Sequence, residues 1–218
     1  MIASSLMDLT IHPVGLNTKV KEALQEMERE RVYHLPVVEK GILVGIVSEQ
    51  VLRDTEPEFL IAQCPLLKSV FSKSNDHFFS IWSTIAKENL SSLPVINQEG
   101  EYMGCVTQET MMQFYARSFA LSEPGSIIVL STRKMDYSLS KIAQIAEDQR
   151  CIILSCFVSE QIEEGNILIT LKVNCQDTEN LVNAFNRYEF EVVSVLSEED
   201  FPSLLKDRYN ELMNYLNV

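Results

Sequence analysis

An internal repeat constrains the fold of this chain more than any other sequence feature. The tripeptide Leu-Pro-Val at 35–37 recurs at 93–95, an offset of 58 residues, and Gly45 recurs as Gly104, an offset of 59. The additional residue falls in the turn between these two landmarks. In a repeat of this length, each copy is one supersecondary unit that buries its apolar face against the other. The sequence therefore predicts two similar halves that pack together.

Each copy is predicted to begin with a helix. Thr18 can cap the first helix through its side-chain oxygen, and Asp76 holds the matching position in the second copy. The apolar residues that follow recur at the three- and four-residue spacing of a single helix face. They are Val20, Ala23, Leu24 and Met27 in the first copy and Phe78, Ile81, Trp82 and Ile85 in the second. We expect this face to be core rather than a ligand-binding stripe.

Two strands and a second helix complete each copy. Gly45 and Gly104 stand in the second strand, where another part of the backbone is expected to approach closely. Ser48 and Thr107 then open the next helices. The predicted strands are 35–38 and 42–47 in the first copy and 93–96 and 102–106 in the second.

This order of helix, strand, glycine and hydroxyl residue carries a resemblance to a known family. The segments 20–52 and 78–111 both resemble CBS motifs, and together they resemble a Bateman module, which is a tandem CBS pair. The resemblance covers about residues 1–120, with the first motif at about 1–62 and the second at about 63–120.

A second domain is predicted after the turn Glu123-Pro124-Gly125, because Pro and Gly together break a helix. From there the pattern predicts strand, helix, strand, strand, helix and strand. This βαββαβ order over 125–198 indicates a ferredoxin-like sandwich and resembles an ACT domain. A hairpin turn is predicted at 163–166, Ser138 is predicted to cap the first helix, and a terminal helix is predicted at 199–218. The predicted fold class is α+β.

Two CBS motifs followed by an ACT-like domain resemble the acetoin-utilisation B-type family. The resemblance implies a non-catalytic regulatory protein whose CBS pair binds an adenosine-containing ligand, such as AMP, ATP or S-adenosylmethionine, and relays the signal through dimeric ACT-like domains. It also implies a homodimer and a separate regulated protein as partners. The alternative is a dimerisation and assembly scaffold that binds no small ligand. No cofactor follows from the residues themselves.

The same resemblance places the ligand site beside the Leu-Pro landmarks and the hydroxyl residues. It implies that Ser48 and Thr107 help to hold a phosphate, unless they only cap the helices. The residues implied to line the adenosyl cleft are Tyr33, His34, Pro36, Ser48, Ser91, Ser92, Pro94 and Thr107.

The site departs from the family pattern at the residue that binds the ribose. Val51 and Thr110 stand where such sites usually carry Asp, and neither can accept hydrogen bonds as a carboxylate does. Glu49 and Glu109 lie nearby, but they are predicted to point elsewhere, and their charge would oppose a phosphate. In the ACT-like domain, Tyr137 stands at the usual position of a glycine, so a role in dimerisation is favoured over binding of an amino acid.

Composition and motifs exclude several other functions. The 31 acidic and 18 basic residues give a net charge of −13, which would repel a nucleic-acid backbone. The three histidines show no metal-ligand spacing with another His or a Cys, and the usual hydrolase, phosphate-loop and dinucleotide-binding motifs are missing. The sequence lacks a leader and a long apolar segment, so we expect a cytoplasmic protein that does not enter a membrane. The five cysteines are predicted to be reduced and mostly buried.

Overall fold

The computed structural model describes residues 1–68, 70–160 and 165–197, which form two compact units. The N-terminal unit is Met1–Tyr115, and the C-terminal unit begins at Ala116. The first half of the predicted hairpin turn at 163–166 and the whole predicted helix at 199–218 lie outside the described residues.

The N-terminal unit contains the same sequence of elements twice. The first copy comprises helix α1 (Val20–Glu30), strands β1 (His34–Glu39) and β2 (Ile42–Ser48), and helix α2 (Glu49–Arg53). The second copy comprises strand β3 (Ser72–Lys73), helix α3 (Phe78–Glu88), strands β4 (Ser92–Ile96) and β5 (Tyr102–Thr107), and helix α4 (Gln108–Ser118). Strands β1 and β2 pair antiparallel, as do β4 and β5.

The two copies also agree in the details of strand pairing. Val37 lies opposite Gly45 in the first antiparallel pair, and Val95 lies opposite Gly104 in the second, with a register shift directly after Val37 and directly after Val95. A parallel neighbour joins each first strand as well, since Val14 pairs with Val37 just as β3 pairs with β4. The predicted repeat is therefore a repeat of three-dimensional structure.

The two copies interlock through the segments that precede them. Leu67, which precedes the second copy, forms an antiparallel bridge with Ile46 in the first copy. Asp8, which precedes the first copy, forms the equivalent bridge with Cys105 in the second. The Leu67 amide donates to the Ile46 carbonyl at 2.9 Å, and the Ile46 amide donates back at 2.9 Å. Because the exchange is reciprocal, we describe the two halves as a pseudo-twofold pair.

The helix caps predicted at Thr18 and Asp76 are each wrong by one position, because the N-cap residues are Lys19 and His77. Thr18 Oγ1 accepts from the Gly15 amide at 3.1 Å, and α1 begins only at Val20. Asp76 accepts from the Lys73 amide at 2.8 Å. Both side chains close the turn before the helix, because short polar side chains bond equally well to nearby loop amides. On the predicted core face of α3, Trp82 is 38% exposed, whereas Ile81 and Ile85 are buried.

The C-terminal unit has the predicted βαββαβ order. Its strands form one antiparallel sheet, and the first strand lies in the interior between the third and the fourth, which is the ferredoxin-like arrangement. Ser138 caps its first helix by accepting from the Lys141 amide at 3.3 Å, as predicted. The elements are β6 (Ser126–Arg133), α5 (Leu139–Asp148), β7 (Ile153–Glu160), β8 (Asn166–Val173), α6 (Glu179–Arg187) and β9 (Glu191–Leu196), and the sheet order is β7-β8-β6-β9.

One disulfide corrects the prediction that all five cysteines are reduced. Cys151 and Cys175 are joined, with their Cα atoms 5.6 Å apart. Strand pairing explains this, because Ile153 lies opposite Val173 at the end of the β7–β8 ladder. The two cysteines are two residues beyond this pair on either strand, so the ladder brings them together. The other three are free thiols: Cys64 and Cys105 are buried, and Cys156 is partly buried.

We expect Gly45→Ala to destabilise the N-terminal unit by about 1–3 kcal/mol. An added Cβ would lie 2.9 Å from the Leu67 carbonyl oxygen and 3.1 Å from Leu66 Cβ, so the backbone bridge between the halves would have to move. Urea unfolding followed by the fluorescence of Trp82, the single tryptophan, measures this free energy.

The matched control for this substitution is Gly15→Ala. The nearest atom to its added Cβ is 3.8 Å away, so its free energy of unfolding should stay within about 0.5 kcal/mol of the wild type. Equal stability of the two variants would contradict the close contact at Gly45.

We expect reduction of the disulfide to lower the free energy of unfolding of the C-terminal unit by about 3 kcal/mol, because the bond closes a loop of 24 residues in the unfolded chain. Calorimetry with and without a phosphine reductant measures the shift. The double variant Cys151→Ser with Cys175→Ser is the control and should not respond to the reductant. A wild-type melting curve that also ignores the reductant would show that the bond contributes nothing.

Candidate functional site

A cavity of about 630 Å³ lies in the N-terminal unit, and its wall includes four of the eight predicted site residues. They are Tyr33, His34, Ser48 and Ser91. Both copies contribute to the wall, because Ser91 comes from the loop before β4 and the others from the first copy. The pseudo-twofold arrangement of the fold thus creates the cavity.

The floor of the cavity is built on hydrogen bonds between the starts of β1 and β4. Ser91 Oγ accepts from the Tyr33 amide at 2.8 Å, and the Ser91 amide donates to His34 Nδ1 at 3.2 Å. Ser92 Oγ donates to the His34 carbonyl at 2.7 Å and is fully buried. The structure therefore places Ser92 behind the wall, where it joins the two strands.

His34 is a neutral side chain in this setting. Because its Nδ1 accepts from the Ser91 amide, the ring proton is assigned to Nε2. Burial lowers the pKa of His34 below its ordinary value, since the charged imidazolium loses hydration. The ring can therefore offer a neutral N–H donor to a ligand.

The two predicted hydroxyl residues have different surroundings. Ser48 lies in the cavity wall and caps α2, accepting from the Val51 amide at 3.4 Å. Its own O–H is not used in this cap and can donate to a ligand. Thr107 is 4% exposed, accepts from the Thr110 amide at 3.1 Å and lies outside the wall of this cavity.

Pro36 and Pro94 also lie outside the wall. Pro36 is buried in β1 opposite Ile46, and Pro94 is buried in β4 opposite Cys105. The Pro36 carbonyl accepts from the Val14 amide at 2.9 Å. Both prolines therefore belong to the paired strands and not to the cavity wall.

Glu49 was predicted to point elsewhere, and that prediction is wrong. Glu49 lines the cavity, and its Oε1 accepts from Arg53 Nε at 2.9 Å and from Nη2 of the same residue at 2.5 Å. The first residue of α2 projects here because its amide donates to the Tyr33 carbonyl at 2.8 Å, which turns the start of the helix toward the cavity.

Several wall residues were missed by the sequence analysis. Glu88 and Asn89 come from the end of α3, and Gln108 comes from the start of α4. The repeat could have indicated Gln108, because it is the counterpart of Glu49, and its amide makes the matching bond to the Ser91 carbonyl at 3.0 Å. Apolar wall is provided by Ile46, Val51, Pro65, Leu66 and Leu67.

A second group of polar residues lies on α1 and the loop before it. His12 Nδ1 is 3.3 Å from Glu30 Oε1 and 3.7 Å from Glu26 Oε1. Arg29 pairs with both carboxylates, and the His12 side chain is 65% exposed. The group is therefore described as a surface ion-pair network.

We expect the free energy of unfolding to fall as the pH is lowered below 6.5, the ordinary pKa of His34. A histidine whose pKa is lower in the folded state binds its proton more readily when the chain is unfolded. Neutral His34 therefore stabilises the folded state fully above pH 6.5, and this contribution declines as the pH falls below that value. In His34→Asn the amide oxygen can replace Nδ1 as the acceptor. A slope against pH that is unchanged in this variant, measured by urea unfolding, would contradict the assignment.

Part of this chain is similar to known proteins. The family model for the CBS domain matches residues 3–55. A homoserine O-acetyltransferase from Methanobrevibacter ruminantium is 30% identical over 115 residues, which is 50% of this chain and 23% of the relative. The chain thus spans about a quarter of the length of this curated relative.

Solved structures with a similar fold include a CBS domain pair/ACT domain protein from Thermotoga maritima, with 18% identity, a TM-score of 0.49, and coverage of 54% of this chain and 98% of that one. A CBS domain pair in complex with 5′-methylthioadenosine and S-adenosylmethionine has 19% identity, a TM-score of 0.46, and coverage of 54% and 97%. None of the helices in the described residues combines the length and apolar character needed to cross a bilayer.

The family match and the structural repeat support the same assignment. The match covers the first copy, and the second copy repeats its strand pairing, its register shift and its bridging segment. Residues 3–55 therefore match a CBS domain, and the second copy repeats the architecture of that domain.

Proposed function

We propose that this chain is a non-catalytic regulatory protein whose CBS pair binds an adenosine-containing ligand in the cavity beside His34 and Ser48. The observation that carries the proposal is the cavity itself. Its volume of about 630 Å³ is within the usual range for small-molecule sites, and it combines an apolar wall with a few convergent polar groups.

The apolar part of the wall suits a purine ring. Ile46, Leu66 and Leu67 come from β2 and from the segment that bridges to it. Tyr33 and His34 stand at the other side, and the neutral His34 ring can donate to a ring nitrogen of the base. Burial of a flat aromatic ring against such side chains is favourable because it removes apolar surface from water.

The polar part of the wall suits a ribose. Val51 lies in the wall at the position where the family carries Asp, so the usual acceptor is missing. Glu49 lies beside it, and both hydrogen bonds from Arg53 use the same oxygen, Oε1. Its other oxygen can accept from a ribose hydroxyl, while Ser48 donates. Glu49 thereby substitutes for the absent aspartate.

The C-terminal unit is proposed to be an ACT-like relay. Its βαββαβ order and ferredoxin-like sheet are compatible with that family, and Tyr137, at the usual glycine position, favours dimerisation over direct binding of an amino acid. In this proposal the protein is a cytoplasmic homodimer of the acetoin-utilisation B type that acts on a separate regulated protein. Signalling requires that the ligand bind one conformational state more tightly than the other.

A scaffold without a small ligand is the second proposal, and one observation favours it. The hydroxyl oxygens of Ser48 and Thr107 both accept helix-capping hydrogen bonds, which gives each a structural role. Such a cap contributes about 1 kcal/mol on its own. The two proposals differ in whether an adenosyl ligand stabilises the folded protein.

We expect at least one of AMP, ATP and S-adenosylmethionine to raise the melting temperature of the full chain. Ligand at about 100 times its dissociation constant stabilises the folded state by about 2.7 kcal/mol. Differential scanning calorimetry over a range of ligand concentrations measures the shift. No shift with any of the three would contradict the ligand proposal and support the scaffold.

We expect Val51→Asp to increase the affinity for the ligand that binds, because it restores the carboxylate that the family uses for ribose hydroxyls. Hydrogen bonds to a charged group contribute about 1.5–3 kcal/mol, so the dissociation constant should fall by about tenfold or more. Val51→Asn is the matched neutral control. An affinity no better in the aspartate variant than in the asparagine variant would place the ribose elsewhere.

A further inference from the structure

We propose that this cavity selects adenosyl ligands whose 5′ substituent is neutral or positively charged and discriminates against nucleotide phosphates. The inference rests on the proposed function, because it specifies the ligand of the same site.

The charged side chains of the wall are acidic. Glu49 comes from the start of α2, and Glu88 comes from the end of α3, so each copy contributes one carboxylate. Among the described residues that line the cavity, none is Lys or Arg. A phosphate group bound here would meet these two carboxylates, while the cations that pair with them lie outside the wall.

His34 does not supply the missing positive charge. Its Nδ1 already accepts from the Ser91 amide at 3.2 Å, so the proton of the neutral ring is assigned to Nε2. Protonation of Nδ1 would break this hydrogen bond. The ring is therefore a neutral hydrogen-bond donor toward the cavity.

Two neighbouring cations are paired with these carboxylates, and a third lies outside the wall. Arg53 donates twice to Glu49, and Arg53 and Arg31 both line an adjoining cavity of about 550 Å³ instead of this one. Lys87 Nζ lies 3.8 Å from Glu88 Oε1, and its side chain is 81% exposed. An exposed ammonium is well hydrated, and salt screens its charge. A phosphate would have to compete with Glu49 for Arg53.

The hydroxyl at the helix start does not replace a cation either. Ser48 Oγ accepts from the Val51 amide, and helix α2 has only five residues. The hydroxyl can therefore give a phosphate one neutral hydrogen bond, which is about half as strong as a charge-assisted one. The net charge of −13 on the chain adds long-range repulsion of a dianion.

The same wall favours a cation. Carboxylates attract a sulfonium or ammonium group at short range, and Tyr33, which is 63% exposed, adds an aromatic ring to the wall. A neutral thioether at the 5′ position is not repelled by the carboxylates and needs no charged hydrogen-bond donor. The wall thus favours adenosyl thioethers and adenosyl sulfonium compounds over adenylates.

Titration calorimetry on the full chain tests this selectivity with three ligands that share one adenosine group. The three probes differ in the substituent at the 5′ position of the adenosine. This substituent is a neutral thioether in 5′-methylthioadenosine, contains a sulfonium in S-adenosylmethionine and is a phosphate in AMP. At low ionic strength the dissociation constants of the first two should be at least about tenfold lower than that of AMP. The difference should shrink as salt is added.

A charge variant identifies the side chain responsible. The dissociation constant of AMP divided by that of S-adenosylmethionine should fall by about threefold or more in Glu88→Gln, since this substitution removes one carboxylate from the wall. Glu99→Gln makes the same change of net charge in the exposed turn between β4 and β5, outside the wall, and should leave the ratio unchanged. Equal effects of the two variants would show that only net charge matters and would overturn the assignment to the wall.

The outcomes separate the two proposals. Binding of AMP as tightly as 5′-methylthioadenosine would overturn the selectivity and leave the proposed adenosyl site standing. Failure of all three ligands to bind would overturn the adenosyl site itself. Tighter binding of the two sulfur compounds, with the ratio sensitive to Glu88, would support both.

Discussion

The backbone exchange between the two copies is the constraint on which the N-terminal unit depends. Leu67 pairs with β2 of the first copy, and Asp8 pairs with β5 of the second, so neither half completes its strands alone. This pairing brings a carbonyl oxygen so close to Gly45 that a side chain would not fit. The same bridge delivers Leu66 and Leu67 to the cavity. Fold and site therefore have one physical origin.

The cavity forms where the two copies meet. The end of α3 and the starts of α2 and α4 all contribute residues to its wall. Hydrogen bonds among Tyr33, His34 and Ser91 join the starts of β1 and β4 and form the polar floor of the cavity. Hydrogen bonds from the first residues of α2 and α4 to this floor fix the directions of both helices. Hydrophobic contact and neutral donors, rather than cations, are what the site offers to a ligand.

The sequence predicted the repeated elements and the βαββαβ order because apolar periodicity and turn residues report local structure directly. The family resemblance named Tyr33, His34, Ser48 and Ser91, and these four residues line the cavity. The sequence could not show that Ser92 and Thr107 are buried, nor that Glu49 faces the cavity, because side-chain direction depends on tertiary hydrogen bonds. The pairing of Cys151 with Cys175 was also missed, since it follows from the register of two strands that only the fold establishes.

A crystal structure of the full chain grown with 5′-methylthioadenosine tests the central claim most directly. We expect adenosine density in the cavity, with the base between Leu66 and His34 and the ribose beside Glu49 and Ser48. Density for the nucleoside at a different place, or a cavity that holds only solvent at saturating ligand, would contradict the account.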